Sequence, residues 1–248
     1  MNQSALKSRW ARGLVTAGVL ASLAFMAACG GDDDEPPTVA ATATPFGVQG
    51  TATTKSTIGR KLNEAMVPEA MADGRRLGSA DAKVVIEAYE DFGCPHCLDF
   101  TAEIEPSILR DYVVTGKVAF EFKFFPLRQL TAGAAIAAAC AAEQDKFWPF
   151  HRALYIAQAE ANAQVGPPLT DAFSAAGLRQ IATDVGLDTA AYDACTVSDD
   201  ALQVVQDELR KANELALPGT PSFVINGEVV AAPLDYAGWK KLLDGLLK

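Results

Sequence analysis

Around Val84, Val85, Ile86 and Tyr89 the chain carries a short apolar, β-rich run that reads as a buried strand. The run stops at Asp91–Phe92–Gly93, and Cys94 opens a helix in which Pro95 is acceptable at an early position. Phe100, Ile104 and Ile108 recur every four residues and so share one helix face, while Pro106 kinks that helix or ends it early. Between Val118 and Phe125 a period of two sets Val118, Phe120, Phe122 and Phe124 against Ala119, Glu121 and Lys123, which predicts a second strand ended by Pro126. An Ala-rich helix follows from Thr131 to about Glu143, and Phe147, Trp148, Phe150, Leu154 and Tyr155 continue an amphipathic pattern. Beyond Pro167–Pro168, helices are predicted at Asp171–Val185, Asp188–Thr196 and about Asp199–Leu215. Phe223–Ile225, the turn signal Asn226–Gly227 and Val229–Val230 predict a hairpin, and Leu234 to Leu247 an amphipathic closing helix.

The predicted order is strand, helix, strand, a block of helices at about 131–200, then hairpin and helix. It defines an α/β chain whose first two strands are parallel through a right-handed crossover. The folded domain is placed at 79–248, entered through a turn-rich stretch from Gly74 to Ala82. Residues 56–78 read as an N-terminal extension, with a short helix carrying Leu62, Met66 and Met71.

The first segment is read as a targeting signal. Lys7, Arg9 and Arg12 precede an apolar run from Leu14 to Ala28, shorter than the roughly twenty residues a membrane-spanning helix needs. It ends in Met26–Ala27–Ala28–Cys29, which resembles the lipobox of bacterial lipoproteins. That resemblance implies cleavage after residue 28 and lipidation of Cys29, although the family prefers Leu where Met26 stands. A plain cleavable signal and an uncleaved anchor are the alternatives. Residues 29–55, with Asp32–Asp33–Asp34–Glu35 and Pro36–Pro37, read as a flexible tether too polar to build a core.

The net charge of −10 becomes −13 once 1–28, with its three cations and no acids, is removed. Such a chain repels nucleic acid phosphates, so no nucleic-acid partner is expected. Export also changes the meaning of cysteine, because disulfides persist outside the cytoplasm. Besides Cys29 there are four: Cys94, Cys97, Cys140 and Cys195. Spacing favours pairing Cys94 with Cys97, which leaves Cys140 with Cys195 as a structural bridge across the helical block. Two buried thiols, or a second redox relay, are the other options for that pair.

A Cys-x-x-Cys at a helix start is a redox signature with a mechanism. The attacking species is a thiolate, and the free N–H groups and dipole of the first turn stabilise it. Cys94 takes that place, and Cys97 sits one turn on, more buried and able to resolve a mixed disulfide. Pro95 sets the motif's geometry. His96 can donate toward the Cys94 sulfur and tune its pKa. A stabilised thiolate favours the reduced form, which makes the disulfide a stronger oxidant.

Phe92–Gly93–Cys94–Pro95–His96–Cys97 resembles the active site of DsbA-type thiol–disulfide oxidoreductases. Gly219–Thr220–Pro221–Ser222–Phe223 resembles the cis-proline loop of that superfamily. Cys140–Ala141–Ala142–Glu143–Gln144 with Phe147–Trp148 resembles its helical insert. The resemblance covers roughly 78–248. It implies a thioredoxin fold with an inserted all-helical subdomain, a cis Pro221 facing the disulfide, and a Thr220 backbone that receives substrate as an added strand. It implies an oxidase acting on exported proteins with cysteine thiols, and a membrane or soluble partner that reoxidises it. No cofactor is called for. A reductase or isomerase of the same fold is the nearest alternative. The polar 30–78 segment offers no dimerisation domain, so a monomer is expected. A membrane-tethered, chaperone-like binding module is the alternative from another class.

The remaining polar residues read mostly as structure. Half a zinc site at Cys94 and Cys97 would need two more ligands, and only His151 and the distant cysteines remain. His151 reads as a partly exposed or hydrogen-bonded packing residue. Among Glu87, Glu90, Asp91 and Glu121, one buried carboxylate could move protons for Cys97. Glu87 and Glu121 stand ahead there, as the more interior strand positions.

Overall fold

The computed structural model describes residues 56–248. The predicted signal segment, Cys29 and the tether to residue 55 lie outside the described residues. Helix α1 (Thr57–Glu64) starts where Ser56 Oγ accepts from the Gly59 N–H at 2.8 Å. Strands β1 (Ala72–Asp73) and β2 (Arg76–Leu77) follow, then β3 (Val84–Glu90), α2 (Pro95–Glu103), α3 (Glu105–Ile108) and β4 (Val118–Phe124). The helical block comprises α4 (Gln129–Ala142), α5 (Phe147–Asn162), α6 (Leu169–Ala172), α7 (Ala175–Asp184), α8 (Thr189–Cys195) and α9 (Asp199–Glu214). Strands β5 (Ser222–Ile225) and β6 (Glu228–Val230) and helix α10 (Tyr236–Leu246) end the chain.

The strands form one sheet in the order β1-β2-β4-β3-β5-β6. Among the described residues only β3 and β4 run parallel, in register from Val84↔Val118 to Glu90↔Phe124. The other pairs are antiparallel. The hairpin turns at Asn226 and Gly227, both at positive φ, as a two-residue loop between twisted strands requires.

Alternation divides the side chains between two layers. Val84, Ile86 and Ala88 of β3 and Phe120 and Phe122 of β4 face the main core. There Phe100 of α2 meets Phe223 at 4.7 Å and Trp239 of α10 at 5.8 Å between ring centroids. On the opposite face Tyr89 and Val224 pack with Ala212 of α9, Leu217 and Phe125. The helical block thus covers the sheet and also builds its own core, where Ala134, Ala138 and Cys140 of α4 are buried with Leu154 of α5.

The structure departs from the sequence expectations at three places. The sheet begins at Ala72 rather than after Gly78, because Arg76 and Leu77 pair with Glu121 and Phe120. Strands of two residues have no periodicity to read. Of the apolar residues proposed for the extension only Leu62 is buried, and Met66 is half-exposed. The helix expected over 171–185 is broken, since Ser174 caps α7 by accepting from Gly177 N and Phe173 turns into the core. Pro106 does interrupt its helix, with α2 ending at Glu103 and α3 resuming at Glu105.

Candidate active site

The loop ahead of Cys94 is pinned by one buried acid. Asp91 Oδ1 accepts from Gly93 N at 2.7 Å, and Oδ2 accepts from Leu127 N at 2.8 Å and Thr131 Oγ1 at 3.0 Å. Arg128 closes the other side, donating to the Gly93 carbonyl at 2.6 Å. Position 93 must be glycine for this packing. A Cβ there would lie 2.5 Å from Thr131 Cγ2 and 2.9 Å from Arg128 Nη2. Asp91 is therefore a structural strut.

Cys94 is the N-cap of α2 and Pro95 begins the helix. Cys94 is partly exposed, and Cys97, one turn on, is fully buried; both are free thiols. The Cys97 thiol donates to the Cys94 sulfur, and this contact does most to lower the Cys94 pKa, to about 5. Partial burial opposes it, while Thr220 and the backbone N–H groups of Cys97 and His96 reinforce it. In the neutral state the Cys94 thiol donates to the Thr220 carbonyl at 3.2 Å. The Thr220 hydroxyl is buried without a hydrogen-bond partner, which leaves its proton available to the ionised sulfur. Cys97 is shifted upward, first by burial, then by its bond to Cys94 and the nearby charge of Glu90. At neutral pH one sulfur is an anion and its neighbour a thiol, the arrangement thiol–disulfide exchange uses.

The peptide bond between Thr220 and Pro221 is cis. Both residues line an apolar groove of about 650 Å³ beside the motif, with Phe100, Ile104, Phe223 and Tyr236. His96 also lines it. The help His96 gives the sulfur comes from its backbone N–H rather than from its exposed imidazole. Cys140 and Cys195 lie elsewhere, joined in a disulfide between α4 and α8 with Cα atoms 5.7 Å apart.

The carboxyl behind Cys97 is Glu90, not Glu87 or Glu121. Glu90 is 1% exposed, on the same face of β3 as Val84, Ile86 and Ala88. Glu87 and Glu121 point to the α9 face, where Lys123 lies 3.5 and 2.5 Å from them. Tyr155 donates to Glu90 Oε2 at 2.8 Å. Burial raises the Glu90 pKa well above the usual carboxylate range, and nearby Glu105 adds to the shift. Glu105, itself buried and also shifted upward by burial, was not singled out in the sequence. His151 is neither partly exposed nor hydrogen-bonded through Nε2, contrary to expectation. It is buried in an aromatic shell of Phe92, Phe122, Phe147, Trp148 and Tyr155, with Nε2 unpartnered, and burial lowers its pKa to about 3.

A thiolate held at a helix start, over a buried second thiol and against a proline loop on the same sheet, defines a thiol–disulfide oxidoreductase of the thioredoxin fold with a DsbA-like helical insert. The chain belongs to the thioredoxin family, whose model matches residues 70–245. Among curated proteins it is similar to disulfide bond formation protein D of Bacillus subtilis, 27% identical over 179 residues that span 69% of this chain and 76% of that protein. Among solved structures it is similar to alpha-DsbA1 of Wolbachia pipientis, with TM-score 0.60 and 23% identity over 70% of this chain and 90% of that one. Oxidised BdbD of Bacillus subtilis also matches, with TM-score 0.60 and 22% identity over 70% and 92% of the two chains.

Proposed function

We propose that the chain is an exported, membrane-tethered oxidase that forms disulfides in client proteins through Cys94 and Cys97. The observation that carries this reading is the placement of the Cys94 sulfur, at the N-cap of α2, one turn from the buried Cys97 thiol and 3.2 Å from the Thr220 carbonyl, where its pKa is lowered to about 5. Stabilising that thiolate stabilises the reduced enzyme, and so makes its disulfide a stronger acceptor of electrons. A client thiolate attacks Cys94, forming a mixed disulfide while Cys97 leaves with the electron pair. A second client thiol then attacks the mixed disulfide, and Cys94 departs as the stabilised thiolate. Pro95 and the His96 backbone N–H shape the thiolate site. Thr220 and Pro221, whose loop lines the groove, receive the client as an added strand. The Cys140–Cys195 bridge is structural, tying α4 to α8 within the helical insert.

The extracytoplasmic location rests on the signal-like pattern of residues 1–28. Residues 1–28 act as an export signal, Cys29 carries the lipid, and 29–55 is the tether in an extracytoplasmic compartment. No helix among the described residues is long and apolar enough to cross a membrane. The domain works as a monomer, with a membrane or soluble partner to reoxidise it.

Measuring the Cys94–Cys97 reduction potential against glutathione tests the direction. A value more positive than about −200 mV is expected, and one near about −270 mV, typical of reducing thioredoxins, would overturn the oxidase assignment. Lipidation is tested by labelling cells with a fatty-acid analogue, with Cys29→Ser losing the label.

A further inference from the structure

Cys97 has no solvent exposure, yet it must gain a proton whenever its disulfide opens. Two carboxyls are buried nearby: Glu90 at the end of β3, whose charge acts on Cys97, and Glu105 at the start of α3, whose charge acts on Glu90. Two adjacent buried acids cannot both be charged without a large penalty. The groups facing them are few. From α2, Thr101 Oγ1 donates to Glu90 Oε2 at 3.5 Å, and Thr101 lines the same crevice as Glu105. From α5, Tyr155 donates to Glu90, His151 is neutral, and Arg152 supplies the nearest cation. Glu90 Oε1 and Glu105 Oε2 are buried without hydrogen-bond partners. Glu105 borders a crevice of about 10 Å³, room for about one water, walled by Thr101, His151 and Arg152 and by Leu62 and Met66 of the N-terminal extension. Arg152 reaches from this crevice to the surface, pairing with Glu69 at 2.9 Å.

We infer that Glu105 is the outer member of a two-carboxyl relay that, with Glu90, carries the Cys97 proton to and from solvent through the crevice beneath the N-terminal extension, on a route separate from the client groove. This rests on the oxidoreductase reading. When the Cys94–Cys97 bond breaks, Cys94 gains a bond to the client sulfur and Cys97 keeps the electron pair. Glu90 gives Cys97 its proton and becomes a carboxylate. Glu105 replaces that proton by way of the Thr101 hydroxyl, and solvent in the crevice reprotonates Glu105. The sequence runs backward when Cys97 attacks to remake the disulfide. The only electrons moved are those of the exchanging sulfurs. Sharing one proton deficit between two acids keeps the pair from carrying more than one charge.

The test uses the full chain carrying glutathione on Cys94, with resolution by Cys97 followed by acid quench and mass spectrometry across pH. Glu105→Gln should slow resolution roughly tenfold or more and remove one inflection from its pH profile. Glu105→Asp should recover part of the rate, and the pH profile of Cys94 alkylation should not change. Native rates and an unaltered profile in Glu105→Gln would overturn the relay while leaving the oxidoreductase intact. If the native chain itself failed to resolve the mixed disulfide, the underlying activity would fall instead. Should Glu105→Gln not fold, reduced-minus-oxidised infrared spectra of the native chain decide the matter. Signals from two carboxylic acids support the relay, and one or none overturns it.

Discussion

Lowering the pH removes the charge on which the Cys94 site is built, and the cost can be worked out. The thiol ionises at about 5 in the folded, reduced chain against a reference of 9.0. Because the folded value is depressed, the resulting stability is fully present above the reference value and is lost as pH falls through about 5. At pH 7 the folded thiol is ionised about a hundredfold over its neutral form, while the unfolded thiol is neutral by about the same ratio. Two decades at about 1.36 kcal/mol each give about 2.7 kcal/mol. Solvent screens a half-buried sulfur, so roughly half of that is the expected effect. Denaturant unfolding of the reduced and oxidised chains at about pH 7 and about pH 4 measures it. The reduced chain should lose about 1–3 kcal/mol relative to the oxidised chain on acidification, and Cys94→Ser should abolish that change. Iodoacetamide alkylation of Cys94 should follow the same midpoint. An alkylation midpoint above about 8, or a stability gap indifferent to pH, would refute the reasoning.

Other perturbations probe the scaffold. Replacing both Cys140 and Cys195 by Ala opens a link across 55 residues, which the chain-entropy model values at about 4 kcal/mol; denaturant midpoints should fall while Cys94 alkylation stays normal. Gly93→Ala forces a Cβ against Thr131 and Arg128 and should cost about 1–3 kcal/mol in thermal unfolding, with a measurable change in Cys94 reactivity. Trp239→Ala empties a fully buried site between α10 and Phe100 and should cost about 3–5 kcal/mol; a loss under 1 kcal/mol would show that α10 repacks. Glu90 keeps its proton after the unfolded chain has shed it, so native stability should decline as pH rises above the ordinary glutamate range, and Glu90→Gln should flatten that decline in urea titrations from about pH 5 to 8.

The local order was legible because it follows from short-range rules. Period two at Val118–Phe124, Asn226–Gly227 between two apolar runs, and a cysteine followed by proline at a helix start each need only their neighbours to be read. Glu90 was within reach of the same rule: it stands in phase with Val84, Ile86 and Ala88, whereas Glu87 is out of phase with them and Glu121 with the Phe120–Phe122–Phe124 face. Glu105 was not, because the helix breaks at Ile104 and the phase of the next turn cannot be carried across. Of the two-residue strands before Gly78, β2 joins the sheet by pairing with β4, a partner more than forty residues away, and β1 joins it through β2.

The sequence alone determined strands β3 and β4, the hairpin, most of the helices, the reactive dithiol and the chemistry open to it, since helix starts, strand alternation and sulfur reactivity are local properties. Tertiary structure alone decided that Glu105 is buried, that the Thr220 carbonyl comes to 3.2 Å from Cys94, and that His151 is a neutral core residue. Burial and electrostatic environment depend on what distant segments bring to the same place, and no window of sequence contains that sum.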